Sequence, residues 1–249
     1  MKKLLVALAV ATTCMGGVVH AEEAKPDNEL SFNAAGVSDY RYRGISQTRL
    51  NPALQGGADY VNNPTGLYAS AWASTISWTR DSGGSGGVEL DLSAGKRGQL
   101  SSDIGYDVGL LVYVYADNGL KDVVGLADAN TREVYGQLSY GVAYIKYSLA
   151  VSNLFGIANS RNSSYVDVGA NIDLTYGWTA NLHAGYQNVK NNDASSYADW
   201  KVGLTRDFGI VTGALAVIGT NADKQAYASP ANGKFLGKTA LQLTLGKTF

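Results

Sequence analysis

The chain has 249 residues, with 20 basic against 21 acidic side chains and one cysteine, Cys14. That cysteine lies close to the N-terminus, so disulfide scaffolds, thiol catalysis and cysteine-held zinc are excluded for nearly the whole chain. The charge balance argues against nucleic acid as a partner, and no apolar run beyond the N-terminal segment approaches the ~18 residues of a membrane-spanning helix.

Read from the N-terminus, the first element is an export signal. Lys2 and Lys3 give a positive start, residues 4–11 a short apolar stretch, and Val19-His20-Ala21 small residues before a cut. The apolar stretch is too short to cross a bilayer as a helix. The expected organisation is a cleaved signal peptide over 1–21, a short periplasmic N-terminal segment over 22–29 and a barrel domain over 30–249. Cleavage removes Lys2, Lys3 and Cys14 and leaves 228 residues, 18 basic and 21 acidic. Thr12 and Thr13 stand before Cys14, where a lipid-modified cysteine needs a small residue.

From there the dominant period is two. Val166, Val168, Ala170, Ile172 and Leu174 fall on one face, against Asp167, Gly169, Asn171 and Asp173 on the other. Side chains alternate across a strand, so each such segment is a two-faced ribbon. In chain order twelve of them are expected: 30–43, 52–61, 66–76, 88–96, 104–115, 132–140, 143–152, 165–174, 178–187, 197–206, 211–219 and 238–249. In the third, around Tyr68, Ser70 and Trp72, small apolar residues fill the other face and leave the orientation open. Pro26, Pro52, Pro64 and Pro230 all avoid strand interiors, where a missing N–H would break a ladder. Connections alternate between short (62–65, 141–142, 175–177, 207–209) and long (77–87, 116–131, 153–164, 188–196, 220–237), with two that fit less cleanly: 44–51 is only moderately long for its place and 97–103 is not especially short. An antiparallel up-and-down barrel with tight periplasmic turns and longer outer loops gives this alternation.

A soluble barrel or sandwich shares the period, but three features point to lipid. Charge nearly vanishes from the apolar face, which holds Lys247 squarely and Arg206 at a strand end. A charge facing mid-bilayer costs about 2–4 kcal/mol; the long Lys247 stem can reach the headgroups. Aromatics on that face gather near strand ends (Tyr40, Tyr42, Tyr60, Tyr106, Tyr140, Trp178, Tyr186, Trp200), as interfacial girdles do. The chain ends in an alternating strand closed by Phe249, the form of an outer-membrane assembly signal.

The segment Ser38-Asp39-Tyr40-Arg41-Tyr42-Arg43-Gly44-Ile45-Ser46-Gln47 is distinctive. With Gly56-Gly57-Ala58-Asp59-Tyr60, Val88-Glu89-Leu90-Asp91-Leu92 and Tyr197-Ala198-Asp199-Trp200-Lys201-Val202-Gly203, it resembles the TorF-type porin family of proteobacteria, also labelled Gcw_chp. The resemblance runs from about Asn28 to Phe249. It implies an outer-membrane barrel and says little about substrate.

Nothing in the pattern calls for catalysis, a cofactor or a metal. His183 falls on the polar face in mid-strand, away from the lipid and from the outer rim, where a barrel hydrolase would need it. Asp117, Asp122 and Asp128 share one connection without the dense spacing of a calcium loop. The chemistry lies in the charges expected to line the bore: Asp39, Arg41, Arg43, Asp59, Glu89, Asp91, Glu133, Lys146, Asp167, Asp173, His183, Asp199 and Lys201. Arg41 and Arg43 are expected on one face of strand one, about 7 Å apart, and Glu89 and Asp91 likewise on strand four. Facing each other, the two pairs would set a transverse field of the kind that governs ion preference; paired within the wall, they would be scaffold. With Asp107 and Lys238 the polar face carries nine acids and five bases, so a mild cation preference is expected. The function read from the sequence is a porin-like channel of the Gram-negative outer membrane, passing small hydrophilic solutes or ions by diffusion. Its partners are membrane lipid, the barrel assembly machinery and those solutes. The alternative is a closed barrel that binds or has a structural role through its outer loops.

Overall fold

The computed structural model describes residues 26–249; the expected signal peptide lies outside the described residues. The strands are β1 (Asn28–Val37), β2 (Arg41–Tyr42), β3 (Ile45–Ser46), β4 (Ala53–Asn62), β5 (Leu67–Thr75), β6 (Val88–Gln99), β7 (Ile104–Tyr115), β8 (Thr131–Tyr140), β9 (Ala143–Ala150), β10 (Ser164–Asp173), β11 (Trp178–Asn188), β12 (Tyr197–Asp207), β13 (Thr212–Thr220) and β14 (Ala240–Thr248). Twelve of them form one closed antiparallel barrel, in the ring order β1-β14-β13-β12-β11-β10-β9-β8-β7-β6-β5-β4. β2 and β3 pair only with each other. No helix among the described residues is long and apolar enough to cross a membrane.

Closure is made by β1, which pairs with β4 along its whole length and with β14 from Asn33↔Thr248 to Val37↔Thr244. Reciprocal backbone bonds between Phe32 and Phe249, at 2.8 and 3.2 Å, extend that seam to the C-terminus. No barrel strand is left with an open edge, which is the condition for a sheet to sit in hydrocarbon. Both ends of the described residues share one rim with the five short turns; the long connections, including the one between β1 and β4, share the other. We call these the turn end and the loop end.

The alternation sorts as the residues dictate. Val166, Val168 and Ile172 are exposed on the outer surface while Asp167 between them is buried. The ambiguous third segment is settled the same way. Leu67, Ala69, Ala71 and Ala73 face out, and Tyr68, Ser70 and Trp72 face in, where they contact Asp107, Asp59 and Tyr40. Outward charge is confined to basic residues towards the rims: Lys96, Arg206 and Lys247 towards the turn end and Arg132 at the loop end. Arg206 lies over Trp178 and Phe208, and Lys247 over Phe249.

Inward glycines have a clear cause. Tyr68, Tyr135 and Tyr144 each pair in register with a glycine on the next strand, Gly95, Gly109 and Gly169. A β-carbon on those glycines would come within 2.5, 2.7 and 2.6 Å of the tyrosine hydroxyls. The rings therefore lie flat along the wall, on space that only glycine leaves.

One expected strand is cut short. Residues 38–43 are not the end of β1. The backbone leaves the wall after Val37, and Asp39 to Ser46 turn into the barrel. Tyr40 and Tyr42, expected in the outer girdle, are therefore packed inside with Trp72 and Tyr113. Tyr60, Tyr140, Tyr186 and Trp200 are exposed on the outer surface as expected.

Candidate functional site

The inward segment is a small hairpin carried between β1 and β4. Arg43 and Gly44 sit between β2 and β3 with φ of 45° and 79°. Two successive left-handed residues make the tight turn that joins antiparallel strands, and Gly44 takes this backbone at no steric cost. At the base, Asp39 accepts from Arg41 Nε at 2.7 Å, Ser46 Oγ at 2.5 Å and Thr48 Oγ1 at 3.3 Å. The base is tied to the wall by Arg41 Nη1 donating to the Lys238 carbonyl at 2.7 Å and Gln242 Nε2 donating to the Asp39 carbonyl at 2.6 Å.

The tip crosses the bore. Arg43 Nη2 donates to Glu133 Oε2 of β8 at 2.7 Å, and Nη1 to Gln187 Oε1 of β11 at 2.6 Å. Its guanidinium lies 4.2 Å from the ring centroid of Tyr165 on β10. In the ring order β9 stands opposite β1, so these partners flank the far wall. Gly44 lies against β12 and β13: a β-carbon there would be 2.4 Å from Thr220 Cγ2 and 2.9 Å from Asp199 Cβ. On the β6–β7 side, the Tyr42 and Tyr113 hydroxyls are hydrogen-bonded and Tyr40 donates to Glu89 Oε1 at 2.7 Å. The side chains of Arg43 and Glu133 are only 6% and 3% exposed, so this ion pair is a buried one, held in place by further hydrogen bonds from Arg43 to Gln187 and from Tyr113 to Glu133.

The structure corrects the expected facing pairs. Arg41 and Arg43 do not project together from a barrel strand: Arg41 pairs with Asp39 at the hairpin base, and Arg43 meets Glu133 rather than Glu89 or Asp91. Glu89 Oε2 and Asp91 Oδ1 are buried without a hydrogen-bond partner. The remaining residues line the wall. His183 lies between Asp167 at 2.8 Å and Asp199 at 2.7 Å, with Tyr165 donating to Asp199 at 2.9 Å. Lys146 sits 3.8 Å above the Tyr135 ring, and Lys201 is the register partner of His183. Asp59 accepts from Asn33 and Ser70, Asp107 from Tyr68, and Asp173, at the turn end, from Thr179. Lys238 is exposed just before β14 and contributes its carbonyl to the hairpin base. Gln187, Tyr113 and Tyr165 complete the crossing with Gly44 and are not readable as site residues from their own segments. The signal available was Gly44, which interrupts the alternation just after Arg43.

Residues 21–249 match the family described as "Bacterial protein of unknown function (Gcw_chp)". The chain belongs to this family. No curated protein is matched by sequence. Among solved structures, the KdgM porin superposes on this Gcw_chp chain with a TM-score of 0.55 at 8% identity, over 88% of this chain and 98% of that one. The NanC porin gives a TM-score of 0.53 at 11% identity, again over 88% and 98%. At these identities the likeness is one of fold: the Gcw_chp chain has the barrel of outer-membrane porins.

Proposed function

We propose that this protein is a diffusion channel of the Gram-negative outer membrane for small hydrophilic solutes or ions, with the Arg43 hairpin as its constriction. The observation that carries this reading is a polar, charge-lined interior crossed by an anchored hairpin, inside a barrel whose outer surface is apolar. Its long connections face outward and its turns the periplasm, which agrees with an exported chain in which Asn28 and Phe249 both lie at the turn end. On this reading the protein is a TorF-type porin and not an enzyme. Both ring nitrogens of His183 are taken by carboxylates, which leaves no free base beside a nucleophile. Phe249, at the closing seam, is offered as the assembly-machinery signal.

Selectivity follows from which charges are spoken for. Asp39 with Arg41, and Glu133 with Arg43, cancel in pairs, and His183 is shared by Asp167 and Asp199. Asp59, Asp107 and Asp173 have no ion-pair partner among the described residues, against Lys146 and Lys201 on the same wall, and Asp167 and Asp199 share a single histidine. The acid excess supports the cation preference.

Liposome swelling tests the reading. Vesicles carrying the folded protein are expected to swell in monosaccharides and not in oligosaccharides, because a twelve-strand bore is narrow. Absence of swelling both from the native chain and from Arg43→Ala would favour the second reading, a closed barrel working through its loops. The hairpin's contacts with both walls are the observation behind that alternative.

A further inference from the structure

A second polar site lies at the loop end, outside the bore. Between the connection that precedes β4 and the one that follows β5 is a cavity of about 280 Å³, lined in part by Arg49, Thr75, Ser77 and Arg80. Arg49 is committed. It makes a two-point contact with Asp81, whose side chain is 4% exposed, so their charges cancel. Arg80 is free. Its guanidinium lies over Gly87, reaches only the Ile76 carbonyl at 3.5 Å, and has no carboxylate partner among the described residues. The Thr75 hydroxyl accepts the Leu54 N–H at 3.1 Å and keeps its own hydrogen to donate. The Ser77 hydroxyl is spent on Asp81 at 3.4 Å, so the cavity offers one uncompensated guanidinium and the Thr75 hydroxyl as donors, a set that suits a phosphate.

Its position selects the source of that phosphate. Thr75 and Leu54 lie on the outward side of their strands, and Leu54 is 73% exposed on the lipid-facing surface just below the rim. A headgroup with acyl chains against Leu54 would bring its phosphate to the level of Arg80.

We propose that this cavity binds a phosphate monoester of an outer-leaflet lipid headgroup, with Arg80 as its main ligand. The inference rests on the outward orientation of the loop end. Native mass spectrometry of the folded chain in detergent, with bisphosphorylated lipid A and the same lipid after phosphatase treatment, tests it. The native protein is expected to retain the phosphorylated lipid, and Arg80→Ala to bind it about tenfold more weakly, the scale of one charge-assisted phosphate contact. Arg80→Lys should recover part of the loss, because it keeps the charge without the fork. Arg80 is exposed and structurally unpaired, so the variants should fold, which the heat-modifiable gel shift reports. Equal retention by Arg80→Ala, or equal binding of the dephosphorylated lipid, would overturn the site. Displacement of the lipid by equimolar inorganic phosphate would overturn the lipid source. Orientation is read separately, by labelling Lys121→Cys with an impermeant maleimide on intact cells. Absence of label would overturn the outer-leaflet placement even if binding in detergent persisted.

Discussion

Arg43→Ala is expected to enlarge the channel and to weaken the barrel's interior together. The guanidinium is the far anchor of the hairpin, holding Glu133 and Gln187 at 2.7 and 2.6 Å from a turn that starts on the opposite wall. Its removal leaves Glu133, 3% exposed, without its counter-charge. Removing one partner of a fully buried pair costs about 3–5 kcal/mol. Here a released hairpin lets water reach Glu133, so about 2–3 kcal/mol is expected in urea titration of the folded protein. Single-channel conductance should rise, and sugars excluded by the native chain should enter liposomes. Arg43→Ala with Glu133→Gln should keep the larger conductance while recovering most of the stability, because the orphaned charge is gone. A variant with unchanged conductance would remove the hairpin from the permeation path.

Gly109→Val should destabilise the barrel without altering what the constriction does. A β-carbon at Gly109 would stand 2.7 Å from the Tyr135 hydroxyl and 2.8 Å from the Ala94 carbonyl. The ring can rotate away, but the backbone oxygen cannot. Lifting Tyr135 off the wall also takes it from Lys146, now 3.8 Å above the ring. Overpacking of this kind costs about 1–3 kcal/mol. Gly36→Ala is the control: nothing lies within 4 Å of its β-carbon position, so its effect should stay within about 0.5 kcal/mol. Similar urea midpoints for Gly109→Val and Gly36→Ala would contradict the account of tyrosines lying in glycine slots.

The two substitutions mark where sequence reading reaches and where it stops. The barrel was legible because residues 166–174 and their like alternate so regularly that each strand sorts into two faces, and the near absence of charge from the apolar face, the aromatics near strand ends and the closing Phe249 say which face meets lipid. The third strand was not, since alanines beside Trp72 look apolar on both faces. Only the contact of Trp72 with Tyr40 and of Tyr68 with Asp107 decides it. The hairpin was misread for a related reason. Asp39-Tyr40-Arg41-Tyr42-Arg43 continues the alternation of β1, and alternation fixes which side chains share a face, not which strand the backbone pairs with. The partners that hold Arg43 in the bore lie 90 and 144 positions away. No local pattern encodes such a pairing. The charge inventory of the bore was therefore readable, and its cancellation into Arg43–Glu133 and Arg41–Asp39 was not.

Whether the bore is a narrow, open channel is decided by single-channel recording. The chain from Glu22 to Phe249 is refolded in detergent, its fold checked by heat-modifiable mobility, and placed in a planar bilayer under a salt gradient. The account predicts discrete, stable steps, smaller than those of wide porins, with a reversal potential on the cation-selective side from the unpaired acids of the wall. Silence from well-folded protein, or an anion-selective reversal potential, would contradict it.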